Sequence, residues 1–491
     1  MLHNKGITKL HELKGIFTQP EKAGDTLIDI GEKYFTPKLR RKFDAVKKRG
    51  YYASDILLVL LYLPFLGVSS VRGLFKSGCS NLSDAQKDVY YRLKDNSEID
   101  WRSFLYSFTK RFKRLSEQKG EPATNVPRCL IVDDSDCPKR GKKIEYIGKI
   151  YNHVLHKWVL GFKLLTLGYW DGKSMIPLDF SLHNEKGKNK KRPYGLKPSE
   201  LKKRYSKPRA THTPAARRVA ELRESKIINA VKMIKRAVKH GFIADFILTD
   251  NWFTSEYFIK SIRKLKKGML HLLGMCKMDK RNYLFEGKEY TAKQLLQRFK
   301  GTKKRSRKVN AYYIELCVEY KGIPLKLFFS RYSKRGKWHL LLSTDLTLNF
   351  IKAIEIYNIR WSIEVFFKET KQYLNLGKSQ ANDFDAQIAD TTIVMMQYTI
   401  LTLYKRFQVY ETIGELFRES QRLLLELTLA ERLWNLFIEL QRQIVELFEI
   451  EIDDLLEKMF TQPECEQKIL KILKAIDLDP LKTGQCFNKA A

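Results

Sequence analysis

Residues Cys129–Asp134 read CLIVDD, an apolar run closed by two carboxylates. A short run of this kind reads as a buried strand. The chain around it repeats the signal. Lys157–Tyr169 (KWVLGFKLLTLGY) and Ser174–Leu182 (SMIPLDFSL) are strand-like too, and Trp170-Asp171-Gly172-Lys173 between them carries the Asp-Gly pair of a hairpin turn. Three antiparallel strands are therefore expected in succession. Arg217–His240 has the spacing of an amphipathic helix, and Phe242–Thr249 (FIADFILT) is another buried strand, ended by Asp250. Together these segments predict an α/β core. Open α/β sheets place their sites at strand ends, where Asp133, Asp134 and Asp250 fall.

Further along, AYYIELCVEY, PLKLFFSRY and WHLLLST make Gly274–Thr344 an expected antiparallel block, inserted before a long helix over Leu348–Leu374. From Thr391 the pattern is helical to about Leu478. Residues 1–120 are also mostly helical, with apolar clusters at Ile56–Val68, Val71–Phe75 and Trp101–Phe112. Within them VSSVRGLFKSG fits either part of a helix-turn-helix or a basic helical bundle with no defined recognition helix. The resulting organisation is a basic helical region over 1–120, a first core segment over 121–273, a β-rich insertion over 274–345, a helix completing the core over 346–385, and an acidic helical region over 386–491.

Charge divides along the same lines. The chain has 491 residues and a formal net charge of +36. Residues 381–491 hold 12 Lys/Arg against 19 Asp/Glu, so the first 380 carry +43. A surface this basic calls for a polyanion, with nucleic acid first and an anionic membrane surface second. Lys186–Arg209 concentrates the charge, with eleven Lys/Arg, one acid, three prolines and two glycines. It is expected as a solvated basic loop with no core, and Lys190, Lys191 and Arg192 are its candidate phosphate contacts. The longest apolar stretch, Ile56–Val68, is too short for a membrane span and contains Pro64, which predicts a buried helix and no membrane partner. The N-terminal residues lack a signal-peptide core, and the seven cysteines form no CxxC pair. A cytoplasmic, nucleoid-associated protein is expected.

Helical arithmetic at about 100° per residue places Tyr357, Arg360, Glu364 and Lys371 within an arc of about 60°, flanked on both sides by apolar residues. A charged stripe in that setting is costly unless paired or used. It serves either as an Arg360–Glu364 ion pair or as part of a site. Likewise Asp133, Asp134 and Asp250 taken singly can be turn caps. Carboxylates from two strand ends and a helix, taken together, suit two divalent ions about 4 Å apart that activate a hydroxyl and stabilise a leaving oxygen in phosphoryl transfer. Their hard oxygens suit Mg²⁺. Arg360 and Lys371 can then hold phosphate and Tyr357 can donate a hydrogen bond to it.

The spacing Tyr357-x2-Arg360-x3-Glu364-x6-Lys371 resembles the YREK signature of bacterial insertion-sequence DDE transposases, the group that includes insertion sequence family four. YNIRWSIEVFFKETKQYLNLGKSQ is similar to that family throughout. LIVDDSDCPKRGKKIE resembles its first-aspartate strand, FILTDNWF its second, and KDVYYRLKDNSEIDWRSFL a stretch upstream of the catalytic domain. The resemblance covers most of residues 50–400. It implies an RNase H-like, retroviral-integrase-like core with a β-rich insertion, and Mg²⁺-dependent cut-and-paste transposition through hairpin ends, with two ions for which Mn²⁺ can substitute. It implies Asp134, Asp250 and Glu364 as metal ligands, with Asp133 the runner-up for Asp134 because the family has Asp directly before Ser or Thr, here Ser135. It implies Tyr357, Arg360 and Lys371 as contacts to double-stranded DNA, and a homodimer in the synaptic complex. Asn251-Trp252 stands where the family often has Arg-Glu. Trp252 is either a base-stacking residue or a core tryptophan. Other functions open to the same residues are a structure-specific RNase H-like nuclease and a transposase-derived DNA-binding protein that has lost cleavage.

Overall fold

The CLIVDD run forms the start of β1 (Cys129–Pro138), which continues past its apolar half through Asp133–Asp136. It is followed by β2 (Gly148–Asn152), β3 (Lys157–Trp170), β4 (Met175–His183), β5 (Phe246–Thr249) and β6 (His271–Cys276). In the computed structural model, residues 2–3, 34–77, 79–118, 126–407 and 411–422 are described, with isolated positions between 424 and 440. Most of the first 33 residues, and most of the acidic region after 422, lie outside the described residues.

β1 lies at the centre of this group. It runs antiparallel to β3 and parallel to β5, β3 runs antiparallel to β4, and β5 runs parallel to β6. The order is therefore β4-β3-β1-β5-β6. Helices cover its faces, so Leu130, Ile131, Val132, Ile247, Leu248, Leu272 and Leu273 are all fully buried. Burial on both faces is why these strands read as unbroken apolar runs. β2 is an additional short strand that the sequence pattern does not reveal.

The remaining strands are β7 (Asn282–Phe285), β8 (Lys288–Thr291), β9 (Lys304–Ser306), β10 (Ala311–Tyr320), β11 (Ile323–Arg331) and β12 (His339–Ser343). β12 pairs antiparallel with β6, so the expected insertion continues the same sheet, which has 12 strands among the described residues. β6 itself crosses the boundary expected at 273/274.

Two expected helices are each divided. Arg217–His240 becomes Pro214–Arg223 and Lys226–Lys239, because Ser225 turns out of the helix and its side chain caps Ile227 N. Leu348–Leu374 becomes Phe350–Asn358 and Trp361–Tyr373. At that break Ile359 N bonds Ile356 O and Arg360 N bonds Tyr357 O, a tightened turn made without glycine or proline. The basic loop is also more ordered than its composition predicts. It contains the short helix Pro198–Lys202, and its end is buried, with Arg209 paired to Glu145 and Asp385. These partners come from distant parts of the chain, so local composition could not announce them.

The chain divides into two compact units, 1–94 with 403–491, and 95–402. The helix Trp101–Gln118 falls in the second unit, where it lies against β4. In the first unit, Ile56–Leu66 is buried in the helix Ala53–Tyr62 and the turn that follows it. Phe65 meets Phe417 at 5.3 Å, and Gln421 donates to Pro64 O. Part of the acidic region therefore packs within the chain. Val71–Leu74 is a single helical turn, too short for a recognition helix. No helix among the described residues is long and apolar enough to cross a membrane.

Candidate functional site

Strand geometry decides which acidic side chains meet. Val132 pairs with Thr249 across the parallel β1/β5 ladder. Asp133 and Asp250 directly follow that last pair, Asp133 within β1 and Asp250 just beyond β5, and Asp134 points to the opposite face of β1 from Asp133 because side chains alternate along a strand. The contacts follow this alternation. On one face, Asp133 accepts from Arg360 Nη1 at 2.8 Å and Ser135 Oγ accepts from Lys371 Nζ at 2.7 Å. Arg360 Nη2 also donates to Glu364. On the other, Asp134 is paired with Lys226 Nζ at 2.5 Å. The runner-up Asp133 is thus the first-strand acid that shares a face with the helix Trp361–Tyr373.

The electrostatics agree. Burial pushes the Asp133 carboxyl up to about 7; Arg360 opposes this, whereas the nearby charge of Asp250 adds to it. Burial also raises Asp250, against the Trp252 N–H that its Oδ1 accepts at 2.9 Å, and Asp134 raises it further. In both carboxyls burial outweighs the positive charge nearby, from Arg360 at Asp133 and from Arg360 and Lys226 at Asp250. Asp250 is within electrostatic reach of both Asp133 and Asp134.

Tyr357 is brought to the site, but its hydroxyl donates to Thr249 O at 3.2 Å, and burial pushes it up to about 12. That bond ties the helix before the break to the residue preceding Asp250. Trp252 is 54% exposed, and is therefore not a core tryptophan. Lys226 and Lys277 stand 5.2 and 5.5 Å from its ring centroid. Lys190, Lys191 and Arg192 are exposed and make no ion pair among the described residues. Asn189 Oδ1 accepts from the backbone of Lys191 and Arg192 and shapes their turn. Lys226 is not apparent in the sequence as a site residue, and Ser135 is apparent only as the residue that follows Asp134. Lys226 opens a helix only because the expected longer helix breaks at Ser225, a signal visible in Ser225 as a helix cap.

Among the described residues, no three His, Cys, Asp or Glu side chains are grouped so as to hold a metal ion as they stand. Arg360 and Lys226 supply the positive charge instead. The donor chemistry nonetheless suits a hard divalent cation: carboxylate oxygens from the middle of β1 and from the end of β5, with Asp133 and Asp250 raised chiefly by burial.

No protein-family model matches this chain, and no curated protein does. Among solved structures it is similar to the NurA nuclease from Sulfolobus solfataricus, at 12% identity over 57% of this chain and 86% of that one, with a TM-score of 0.22. It is also similar to the Drosophila P element transposase strand transfer complex, at 10% identity over 91% of this chain and 97% of that one, again with a TM-score of 0.22. Similarity at that level does not establish a shared fold.

Proposed function

We propose that this chain is a transposase of the DDE type, with an RNase H-like core that cuts DNA at element ends and joins them to a target. The observation that carries this reading is the register of β1 and β5, after whose last pair come Asp133 and Asp250, with Asp133 held by the same Arg360 that holds Glu364. The strand order β4-β3-β1-β5-β6, three antiparallel strands followed by two parallel ones, supports the same reading. So does the charge of +43 on the first 380 residues.

In this reading Asp133, Asp250 and Glu364 hold Mg²⁺, with Asp134 across the strand as the alternative first ligand. The ions, when bound, supply an activated hydroxyl and a stabilised leaving oxygen. Arg360 then exchanges its carboxylates for the DNA phosphate, a bidentate acceptor its planar guanidinium fits. Lys371, now on the Ser135 hydroxyl, takes a neighbouring phosphate. Tyr357 holds the end of β5, and with it Asp250, in position. Trp252, flanked by two lysines, offers an exposed ring face to an unpaired base. The basic helical region binds terminal repeats, and two copies bring the two ends together.

The test is cleavage of end-labelled DNA carrying the element's terminal repeats, with and without Mg²⁺, by wild type and Asp250→Ala. Metal-dependent nicks and hairpins that disappear in the variant are expected. Retarded but uncut DNA with both proteins would instead identify a DNA-binding protein without cleavage.

A further inference from the structure

β3 outruns its neighbours. Gly161–Trp170 pair with β1, whereas Lys157–Leu160 have a strand partner only in β2. β2 and the start of β3 therefore form a two-stranded ribbon that leaves the sheet beyond Pro138. Gly161 sits at the junction, where an added Cβ would lie 2.5 Å from Cys137 O, so only glycine lets the strands approach there. The ribbon ends in a defined turn. Asn152 pairs with Lys157, Asn152 Oδ1 accepts from Leu155 N at 2.7 Å, and His156 has a φ of 48°.

The tip presents apolar side chains to solvent. Val154 is 86% exposed, Leu155 55% and Trp158 53%. Trp158 is braced edge-on by Tyr151 at 5.5 Å, which leaves the two aliphatic residues as the point of the ribbon. Gly148–Trp158 contains no acid, and Lys149 and Lys157 are exposed along it. The turn Pro193–Gly195, which directly follows Lys190, Lys191 and Arg192, lies against β2. Two aliphatic side chains are too small a patch to dock a protein, for which a few hundred Å² is usual. They are the size of a wedge between base pairs, and their basic flanks match phosphate.

We propose that Val154 and Leu155 form a wedge that enters duplex DNA between stacked base pairs, while Lys149, Lys157 and Lys190–Arg192 hold the flanking phosphates. Taking DNA as the partner rests on the reading given above. The ribbon leaves the sheet at the end of β1 that follows Asp133. Asp133 pairs with Thr166, nine residues from Lys157. At about 3.3 Å per residue the tip stands roughly 30 Å from the carboxylates, or about nine base pairs of duplex. The wedge would thus kink the DNA about one helical turn from the phosphate being cut.

The experiment uses the full chain and a short mixed-sequence duplex carrying a fluorescence donor and acceptor at its ends. Binding is read by anisotropy and bending by energy transfer, for wild type and Val154→Ser/Leu155→Ser. Wild type should raise the transfer on binding. The variant should bind with less than about a tenfold loss and give no rise, since burial of two side chains is largely offset by unstacking. Both side chains are exposed, so its thermal melt should match wild type. Binding by wild type with unchanged transfer, or full bending by the variant, would overturn the wedge alone. Retained bending with loss of self-association in sedimentation would show that the tip joins two copies, which also overturns it. Failure of wild type to bind at low salt would overturn the DNA-processing reading together with the wedge.

Discussion

Two aspartates in the same unit, one buried and one half-buried, have opposite fates. Asp179, on β4, is completely buried yet held down to about 2: burial alone would raise it, but Arg102, Arg236 and Arg218 together outweigh that. Arg102 and Arg236 approach it at 2.9 and 2.8 Å, and Glu221 shares their charge. Asp133 has only Arg360, which Glu364 also uses, and it is pushed up to about 7. In the first cluster three arginines stand against Asp179 and Glu221, so the acids are fully offset. The second is short of positive charge, and a carboxylate group in that condition gains from an added cation. Carboxylates that are fully offset serve to hold a fold together, and carboxylates that are not are where a cation is to be sought.

The sharpest break in this comparison would come from exchanging roles. Asp133→Asn should lower cleavage by at least about a hundredfold, and Asp134→Asn by less than about tenfold, with DNA binding by both variants unchanged in a gel-shift titration. Equal losses would place the two faces of β1 on the same footing. Next, Asp179→Leu should cost about 3–5 kcal/mol in denaturant unfolding, because three arginines lose their shared partner, while the folded fraction cleaves at the wild-type rate. A loss of rate without loss of stability would join the two clusters into one site.

The acid limb is a smaller effect. Asp179 is more acidic folded than its ordinary value of 3.8, so its contribution of about 2 kcal/mol is present above pH 4. It is lost as pH falls from about 4 to about 2, and Asp179→Leu should flatten that part of a melting-temperature profile. The smallest change concerns Trp252. Replacing it with alanine should weaken binding to hairpin-ended DNA by roughly tenfold and leave the salt slope unchanged, whereas Trp252→Phe should retain most of the affinity.

The strands that build the centre of the sheet were legible because each is buried on both faces, and the resulting apolar runs at β1, β3, β4 and β5 leave no other reading. β2 was not, since Lys149 and Tyr151 give GKIYN no apolar run. The continuity of β6 with β12 was also hidden, because a pairing between distant strands leaves no local mark. At the site, Tyr357, Arg360, Glu364 and Lys371 could be read as one stripe, although the helix breaks at Ile359–Arg360. The arc survives because the break tightens the turn without reversing it. That Asp133 meets Arg360 while Asp134 meets Lys226 follows from the alternation of side chains along β1, which a motif of adjacent acids cannot express. Trp252 shows the same limit, since its neighbours in sequence do not reveal that its ring faces solvent between Lys226 and Lys277.

Arg209 has a consequence for the covalent chain. It binds Glu145 before the basic segment and Asp385 far beyond it, with Lys207 bonded to Asp383 and Asp385 alongside. The exposed stretch Lys188–Arg192 is therefore bridged at its base by ion pairs that do not depend on its peptide bonds. β3 and β4 lie before that stretch and β5 after it, and the β1–β5 ladder joins the two sides as well. A chain opened at Lys190 would have two new ends and still be one folded body, so a new sequence could be spliced in there without passing through the carboxylate site.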